Sequence, residues 1–139
     1  MSEISTFANT LISRLCDSGL NAKRGFLAQF VDDIPAYPFI ALQTGKDLNC
    51  KPTDKTVTAD RSLLLLIAVS SGAGQDDEMD SALLSVRRSL FKGRRLLHLG
   101  DKPTDGRFTI GDAEFFIPEG ADHLYVCQLQ ITIQYTDIL

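Results

Sequence analysis

The last part of the chain alternates apolar and polar positions. The odd positions from Tyr125 to Tyr135 are apolar or aromatic, and the even positions from Gln128 to Gln134 are glutamine or threonine. This pattern predicts a β-strand over Leu124–Leu139 with one buried face, far longer than an ordinary strand of about 5–6 residues. Its uncharged polar face suits contact with another protein surface or the lining of a wet channel, because no charge has to be desolvated. An ordinary solvated face is an equally good interpretation.

Two stretches repeat apolar residues every three or four positions, which predicts two amphipathic helices. The first covers residues 3–17, begins after the capping residue Ser2 and stops at Gly19. The second covers Asp76–Phe91, with acids at its start and bases at its end, as the helix macrodipole favours. The apolar stripes consist of Ile4, Phe7, Ala8, Leu11, Ile12 and Leu15 in the first helix, and of Met79, Ala82, Leu83, Val86 and Leu90 in the second.

Apolar runs bounded by glycine and proline predict the remaining strands. One strand covers Phe39–Thr44 and ends at Gly45, and another covers Arg61–Ser70. The polar residues 46–60 between them are expected to form a connection. Two smaller extended pieces complete the prediction: a short one at Gly25–Val31, and a hairpin over Arg107–Ile117 around the two-residue turn Gly111-Asp112.

The predicted elements follow the order α-β-β-α-β-β, with the small hairpin before the last strand. Short loops between strands favour antiparallel pairing, and two amphipathic helices can cover one face of a sheet. The sequence therefore predicts one domain over residues 1–139 with an α+β fold. Its antiparallel sheet would have about four main strands, with both helices packed on one face.

The strand Arg61–Ser70 is apolar on both faces, so it must be covered on both sides. Two helices cover only one face of the sheet. We therefore expect another subunit to cover the face that carries Leu64, Leu66 and Ala68.

Composition narrows the classes of function. With 44% hydrophobic and 23% charged residues, the 139-residue chain can bury a core. Its net charge of −4 argues against nonspecific binding of nucleic acid, which depends on Lys and Arg. No apolar run reaches the roughly 18 residues that cross a bilayer, and the N-terminus lacks the pattern of a signal peptide. We therefore expect a cytoplasmic protein.

The sequence contains no recognisable catalytic or metal-binding pattern. Its three cysteines form no CxxC pair, and Cys16 and Cys127 are expected in the core. Gly72-x-Gly74 precedes a helix that starts with acids, which would repel a phosphate. We therefore expect no catalytic residue, no cofactor and no metal. The acid pairs are expected to be solvated: Asp32 with Asp33, and Asp76 with Asp77.

Basic residues gather around the end of the second predicted helix. They form either a solvated helix end, which the helix dipole favours, or a contact for an acidic partner surface or for passing nucleic acid. The cluster consists of Arg87, Arg88, Lys92, Arg94 and Arg95.

Three stretches together resemble the bacteriophage tail terminator family, small minor tail proteins of long-tailed phages. They are Asp32–Gly45, where acids and prolines precede a strand that ends in Thr-Gly; Ser62–Ser70, an apolar strand followed by an acid-started helix; and the terminal strand Tyr125–Tyr135. The resemblance implies a nonenzymatic assembly protein, whose six-membered ring caps the tail tube, ends its polymerisation and provides the joint to the head. Two alternative interpretations remain: a neck or head-closure adaptor of the same virion, and a small enzyme or ligand-binding α+β domain.

The same resemblance implies the partners. They are further copies of the chain in a hexameric ring, the tail tube protein and a head–tail connector protein; DNA passes through the ring without sequence-specific binding, and no membrane is involved. The protein would reside in the bacterial host cytoplasm during assembly and at the head-proximal end of the virion tail. Its acidic balance suits a bore along which DNA slides. We expect the subunit and partner contacts among Leu64, Leu66, Ala68, Arg87, Arg88, Arg94, Arg95, Gln128, Gln130 and Gln134.

Overall fold

The computed structural model describes residues 2–92, 95–96 and 108–139. This part of the chain contains two α-helices, α1 (Glu3–Asp17) and α2 (Gln75–Leu90), and a short 3₁₀ helix at Leu27–Gln29. Its strands are β1 (Asn21–Arg24), β2 (Phe39–Pro52), β3 (Thr56–Ser70), β4 (Phe91–Lys92), β5 (Arg95–Leu96), β6 (Phe108–Phe116) and β7 (Leu124–Ile138).

Both helices form where the sequence predicts them. The Ser2 hydroxyl caps α1 by accepting a hydrogen bond from the Ser5 amide at 3.3 Å, and Gly19, with a φ of 85°, lies just beyond its end. At the start of α2, the Gly72 amide donates to the Gln75 side chain at 2.9 Å. The predicted apolar stripes are buried apart from Ile12, which is partly buried.

Five strands form the main sheet, in the order β1-β2-β3-β7-β6. β1 is parallel to β2, and the other neighbours are antiparallel. The two central strands, β3 and β7, pair along their whole length. The structure confirms the α+β class. The sheet nevertheless has five strands instead of about four, and β4 and β5 form a separate two-stranded ribbon.

The β2–β3 hairpin is longer than predicted. β2 continues through Gly45, and β3 begins at Thr56, so residues 46–60 are mostly strand instead of a polar connection. The prediction was wrong because β2 is exposed from Thr44 onward and has two register shifts. Without a buried face and a continuous register, no alternating pattern is imposed on the sequence.

Gly45 lies inside β2 because its neighbour strand leaves no room for a side chain. A Cβ atom at this position would lie 2.7 Å from the carbonyl oxygen of Ser62 and 2.9 Å from its hydroxyl. Glycine here therefore permits a close approach of two backbones and does not end the strand.

Two smaller predictions were also wrong. The extended piece expected at Gly25–Val31 lies earlier, in β1, and Gly25 ends that strand with a φ of 138° before the 3₁₀ helix. Gly111 and Asp112 do not turn the chain, because β6 runs through them as an irregularity while it pairs with β7. β7 is long enough to pair with both halves of β6, and this pairing outweighs the local turn preference.

The core consists of two clusters, one on each face of the sheet. The larger cluster lies under the helices. The smaller one lies on the opposite face, where Leu27 and the partly buried Phe30 belong to the same cluster as Leu66 and Ala68. Leu66 and Ala68 are only 6% and 0% exposed, so the expectation that another subunit covers them is wrong. Leu64, on the same face, is half-buried.

The cysteines differ from one another in burial. Cys127 is buried, as predicted, and its burial raises the pKa of the thiol to about 11. The prediction for Cys16 was wrong, since this residue is exposed. It lies beside β1, where its Sγ is 3.5 Å from the carbonyl oxygen of Ala22.

Candidate interaction surface on the sheet

The sheet face opposite the helices is open beyond the smaller cluster. Gln130 is exposed there, and Leu64, which pairs with it across the strands, is half-buried. The strip from Gln128 to Thr136 is roughly 25 Å long at about 3.3 Å per residue. We call this surface the open face; it consists of Thr58, Asp60 and Leu64 of β3, and Gln128, Gln130, Thr132, Gln134 and Thr136 of β7.

The open face has one charged residue, Asp60. Asn49 of β2 donates to the Asp60 carboxylate at 3.0 Å, and the Thr58 and Thr136 hydroxyls are 2.8 Å apart across the strands. The surface therefore offers mainly amide and hydroxyl groups. Such groups exchange hydrogen bonds with water or with a partner at a much lower desolvation cost than charged groups.

A polar cluster on the helix-covered face ties β2 to the two central strands. Arg61 of β3 forms a salt bridge with Asp47 of β2 and donates to the Thr44 hydroxyl at 3.0 Å. The Tyr135 hydroxyl of β7 donates to the Asp47 carboxylate at 2.7 Å, and the Arg61 guanidinium lies 5.7 Å from the centre of the Tyr135 ring. These contacts hold the exposed half of β2, from Thr44 onward, in register with β3.

The same contacts shift the pKa values of the three groups. Hydrogen bonding from Arg61 holds the pKa of Asp47 below its usual value, and Asp47 in turn raises the pKa of Arg61. Burial, followed by the hydrogen bond to Asp47, raises the pKa of the Tyr135 phenol. At neutral pH the cluster therefore contains a carboxylate, a guanidinium and a neutral phenol.

The structure separates the predicted contact residues into three groups. Gln128, Gln130 and Gln134 lie together on the open face with Leu64. Arg87 and Arg88 are exposed on α2, which packs on the opposite face. Leu66 and Ala68 are interior. Arg94, like His98, lies outside the described residues, and Arg95 belongs to β5 but its side chain is outside the described part.

Neither the protein-family models nor the curated proteins that were compared with the chain match it.

Among the described residues, no helix is long and apolar enough to cross a membrane. The same residues contain no group of three or more His, Cys, Asp or Glu side chains that could hold a metal ion. Both predicted acid pairs are exposed. A groove of about 810 Å³ does lie between the end of α1 and the start of α2. Its lining includes Leu20, Tyr37, Val69, Asp77, Glu78 and Ser81.

Sequence reasoning missed the cluster of Asp47, Arg61 and Tyr135. Asp47 fell in the stretch expected to be a connection, and Tyr135 was assigned only an apolar role. Arg61, the first residue of the predicted strand, carried the one available signal: a charged residue on an alternating strand needs a partner when it is partly buried.

Proposed function

We propose that this chain is a structural ring subunit of the bacteriophage tail terminator kind. Copies of it would close into a six-membered ring that caps the tail tube, stops its polymerisation and forms the joint to the head. The observation that carries this proposal is the open face, a long strip of amide and hydroxyl groups on the central strands of the sheet. Because it is nearly uncharged, it can pack on a neighbouring subunit or border a water-filled bore through which DNA slides.

The order of the elements supports the same proposal. The three stretches that resemble tail terminators lie on the lead-in to the strand Phe39–Pro52 and its first half, on the strand Thr56–Ser70 with the helix after it, and on the terminal strand. These strands, β2, β3 and β7, are adjacent in the sheet. The resemblance therefore covers one continuous structural unit instead of three separate segments.

The ring is tested by the mass of the native protein. Native mass spectrometry over micromolar concentrations should give a hexamer, and negative-stain microscopy of the same sample should show rings with a central opening. The variant Gln130→Lys places a charge on the open face; it should weaken the ring if a neighbouring subunit packs on this face, and leave it intact if the face borders the bore. A protein that stays monomeric at every concentration would contradict the proposal.

Deletion of the gene in the phage or prophage that encodes the chain tests whether the protein acts as a tail terminator or as a neck adaptor. Loss of a terminator should give tails of uncontrolled, excessive length, because polymerisation is not stopped. Loss of a neck or head-closure adaptor should give tails of normal length that fail to join heads. Electron microscopy of lysates from the deletion strain separates these two structural functions.

The groove between α1 and α2 favours a ligand-binding domain as the second candidate function. Its volume of about 810 Å³ is in the range of small-molecule sites, and Asp77 and Glu78 in its wall would select a cationic ligand. A thermal-shift screen with cationic metabolites tests this candidate. Stabilisation that disappears in Asp77→Asn and persists in Asp32→Asn would favour it over the ring.

A further inference from the structure

The two outermost strands of the sheet can each accept another strand. β1 and β6 lie at opposite ends, and in the described part of the chain no strand pairs with their outer sides. Neither contains proline, and Ala113–Phe116 of β6 pairs with β7 without irregularity. The exposed half of β2 differs, since it has Pro52 and two register shifts, which are devices that protect an edge.

The edge at β6 is also apolar and exposed. Phe115, Phe116 and Ile117 are 44%, 39% and 49% exposed, although they are large and consecutive. Phe26, which follows β1 at the other edge, is 51% exposed. An edge with large exposed apolar side chains is a site for pairing with another chain.

The two edges carry opposite charges. Lys23 and Arg24 are exposed on β1, and Asp112 and Glu114 are exposed on β6. Pairing β1 with β1, or β6 with β6, would bring like charges together and is disfavoured. Pairing β1 with β6 brings unlike charges together, so the charges favour a head-to-tail contact between two copies of this chain.

We propose that β1 of one copy pairs with β6 of the next copy, so that the sheets continue from subunit to subunit. Within the sheet, β1 and β6 run in opposite directions, because β1 is parallel to β2 and each later step is antiparallel. Copies related by rotation about an axis along the strands keep these directions. The new contact is therefore antiparallel, and a head-to-tail contact of this kind forms a ring when the rotation between neighbouring copies closes.

In β1, every second residue directs its backbone N–H and C=O groups away from β2, towards the free edge, as this pairing requires. The Gly25 amide donates to the Leu42 carbonyl at 3.0 Å, so the odd residues of β1 bond to β2. The backbone groups of Ala22 and Arg24 therefore point outward. The Ala22 carbonyl accordingly contacts Cys16 Sγ of α1 at 3.5 Å instead of a β2 atom. Because Ala22 is only 5% exposed, a partner strand reaches this carbonyl only when the Cys16 side chain turns aside, and the oxygen then accepts the new hydrogen bond.

In β6, as in β1, every second residue directs its backbone N–H and C=O groups towards the free edge. The Ser71 amide donates to the His123 carbonyl at 2.9 Å. The backbone groups of the odd residues of β7 therefore hydrogen-bond to β3, and those of the even residues hydrogen-bond to β6. By the register with β7, the backbone groups of Ala113 and Phe115 then point outward. Ala113, like Ala22 of β1, packs against the larger cluster, so the outward groups belong to the helix-facing residues on both edges. A continuous sheet requires this agreement.

A register that uses the regular part of β6, Ala113–Phe116, satisfies backbone direction, sheet face and charge together. It places Ala22 opposite Phe115 and Arg24 opposite Ala113 as hydrogen-bonded pairs. Lys23 then lies directly opposite Glu114, and both side chains are on the same side of the sheet as the open face. Opposite charges in directly facing positions stabilise an antiparallel pair.

This interface rests on the proposed ring, and charge reversal tests the two separately. Lys23→Glu and Glu114→Lys should each weaken association by about tenfold per contact, because each puts like charges opposite one another. The double variant should recover the wild-type mass profile in native mass spectrometry. Lys46→Glu, on the protected half of β2, is the control and should change nothing. Circular dichroism confirms that each variant is folded.

Cysteine cross-linking provides a second measurement that does not depend on the strength of the ring. Lys23→Cys and Glu114→Cys are prepared separately with the exposed Cys16 and Cys50 replaced by serine. Under mild oxidation, only the mixture of the two proteins should form a disulfide-linked dimer. A dimer from either protein alone would overturn the head-to-tail arrangement.

The outcomes separate the interface from the function. A wild-type hexamer that neither single reversal affects, with no cross-link in the mixture, overturns the β1–β6 contact and leaves the ring intact. A wild-type protein that remains monomeric contradicts the ring as well.

Discussion

The substitution Tyr135→Phe tests whether the projecting part of β2 is held by the cluster of Asp47, Arg61 and Tyr135. The change removes one hydroxyl from a ring that is 6% exposed and leaves its packing intact. The lost hydrogen bond goes to a charged carboxylate, and such bonds contribute about 1.5–3 kcal/mol. Because the Asp47 side chain is 30% exposed, water replaces part of the lost contact. We therefore expect a loss at or just below the lower end of this range, about 1–1.5 kcal/mol of unfolding free energy.

The pH dependence of this loss follows from the pKa shifts. Asp47 has a lowered pKa in the folded state, so its contribution is complete above its unfolded pKa and is lost as the pH falls through the folded pKa. Tyr135 has a raised pKa, so its contribution is complete below the unfolded pKa and is lost as the pH rises through the folded one. The difference between wild type and variant should therefore be largest at neutral pH and decrease in both directions.

Urea unfolding at fixed protein concentration and several pH values measures this difference. Tyr37→Phe is the matched control, since Tyr37 is 42% exposed, and it should change the unfolding free energy by less than about 0.5 kcal/mol. A Tyr135→Phe variant as stable as the control, or a loss that stays constant between acid and neutral pH, would refute the reasoning.

Three further predictions concern the strand contacts and the open face. Gly45→Ala should destabilise the protein by about 1–3 kcal/mol in urea unfolding, because its Cβ would collide with the Ser62 carbonyl. Cys127 should react with a thiol reagent only after unfolding, because it is buried and burial raises its pKa, whereas the exposed Cys16 should react at once. Gln130→Lys should leave the unfolding free energy of the monomer within about 0.5 kcal/mol, because the residue is exposed, and should weaken the ring only if the open face is a subunit contact.

Controls are available for each of these experiments. Gly111→Ala is the matched glycine variant, since its Cβ would meet nothing closer than 3.5 Å, and it should cost less than Gly45→Ala. Equal losses would argue against the close approach as the cause. Rapid labelling of Cys127 in the native protein would contradict its burial. A ring that tolerates Gln130→Lys would remove the open face from the contact.

The parts of the fold that sequence reasoning predicted are those with at least one buried face. α1, α2 and β7 each bury a continuous stripe, so their periods of about 3.6 and 2 are visible in the residue types. The exposed half of β2 and the interrupted β6 have no such stripe. Their strand structure comes from pairing with β3 and β7, and pairing partners distant in sequence leave no local pattern.

The candidate surface was predicted in part for the same reason. The amide residues of β7 are visible as alternation, and the structure places them on one open face. The covering of Leu66 and Ala68 was not predictable, because it comes from a segment around the 3₁₀ helix that has no periodicity of its own. The edge pair of Lys23 and Glu114 depends on strand order, which a single sequence does not contain.

The thin cover over the smaller cluster has a consequence for the lifetime of the protein. Within Leu27–Ile34, Leu27 is the buried side chain, with Phe30, Val31 and Ile34 partly buried. Local opening of Leu27–Ile34 exposes far less apolar surface than global unfolding does. Proteases should therefore cleave the chain there first. A nicked chain would uncover Leu66, and such molecules should aggregate while their helices remain intact.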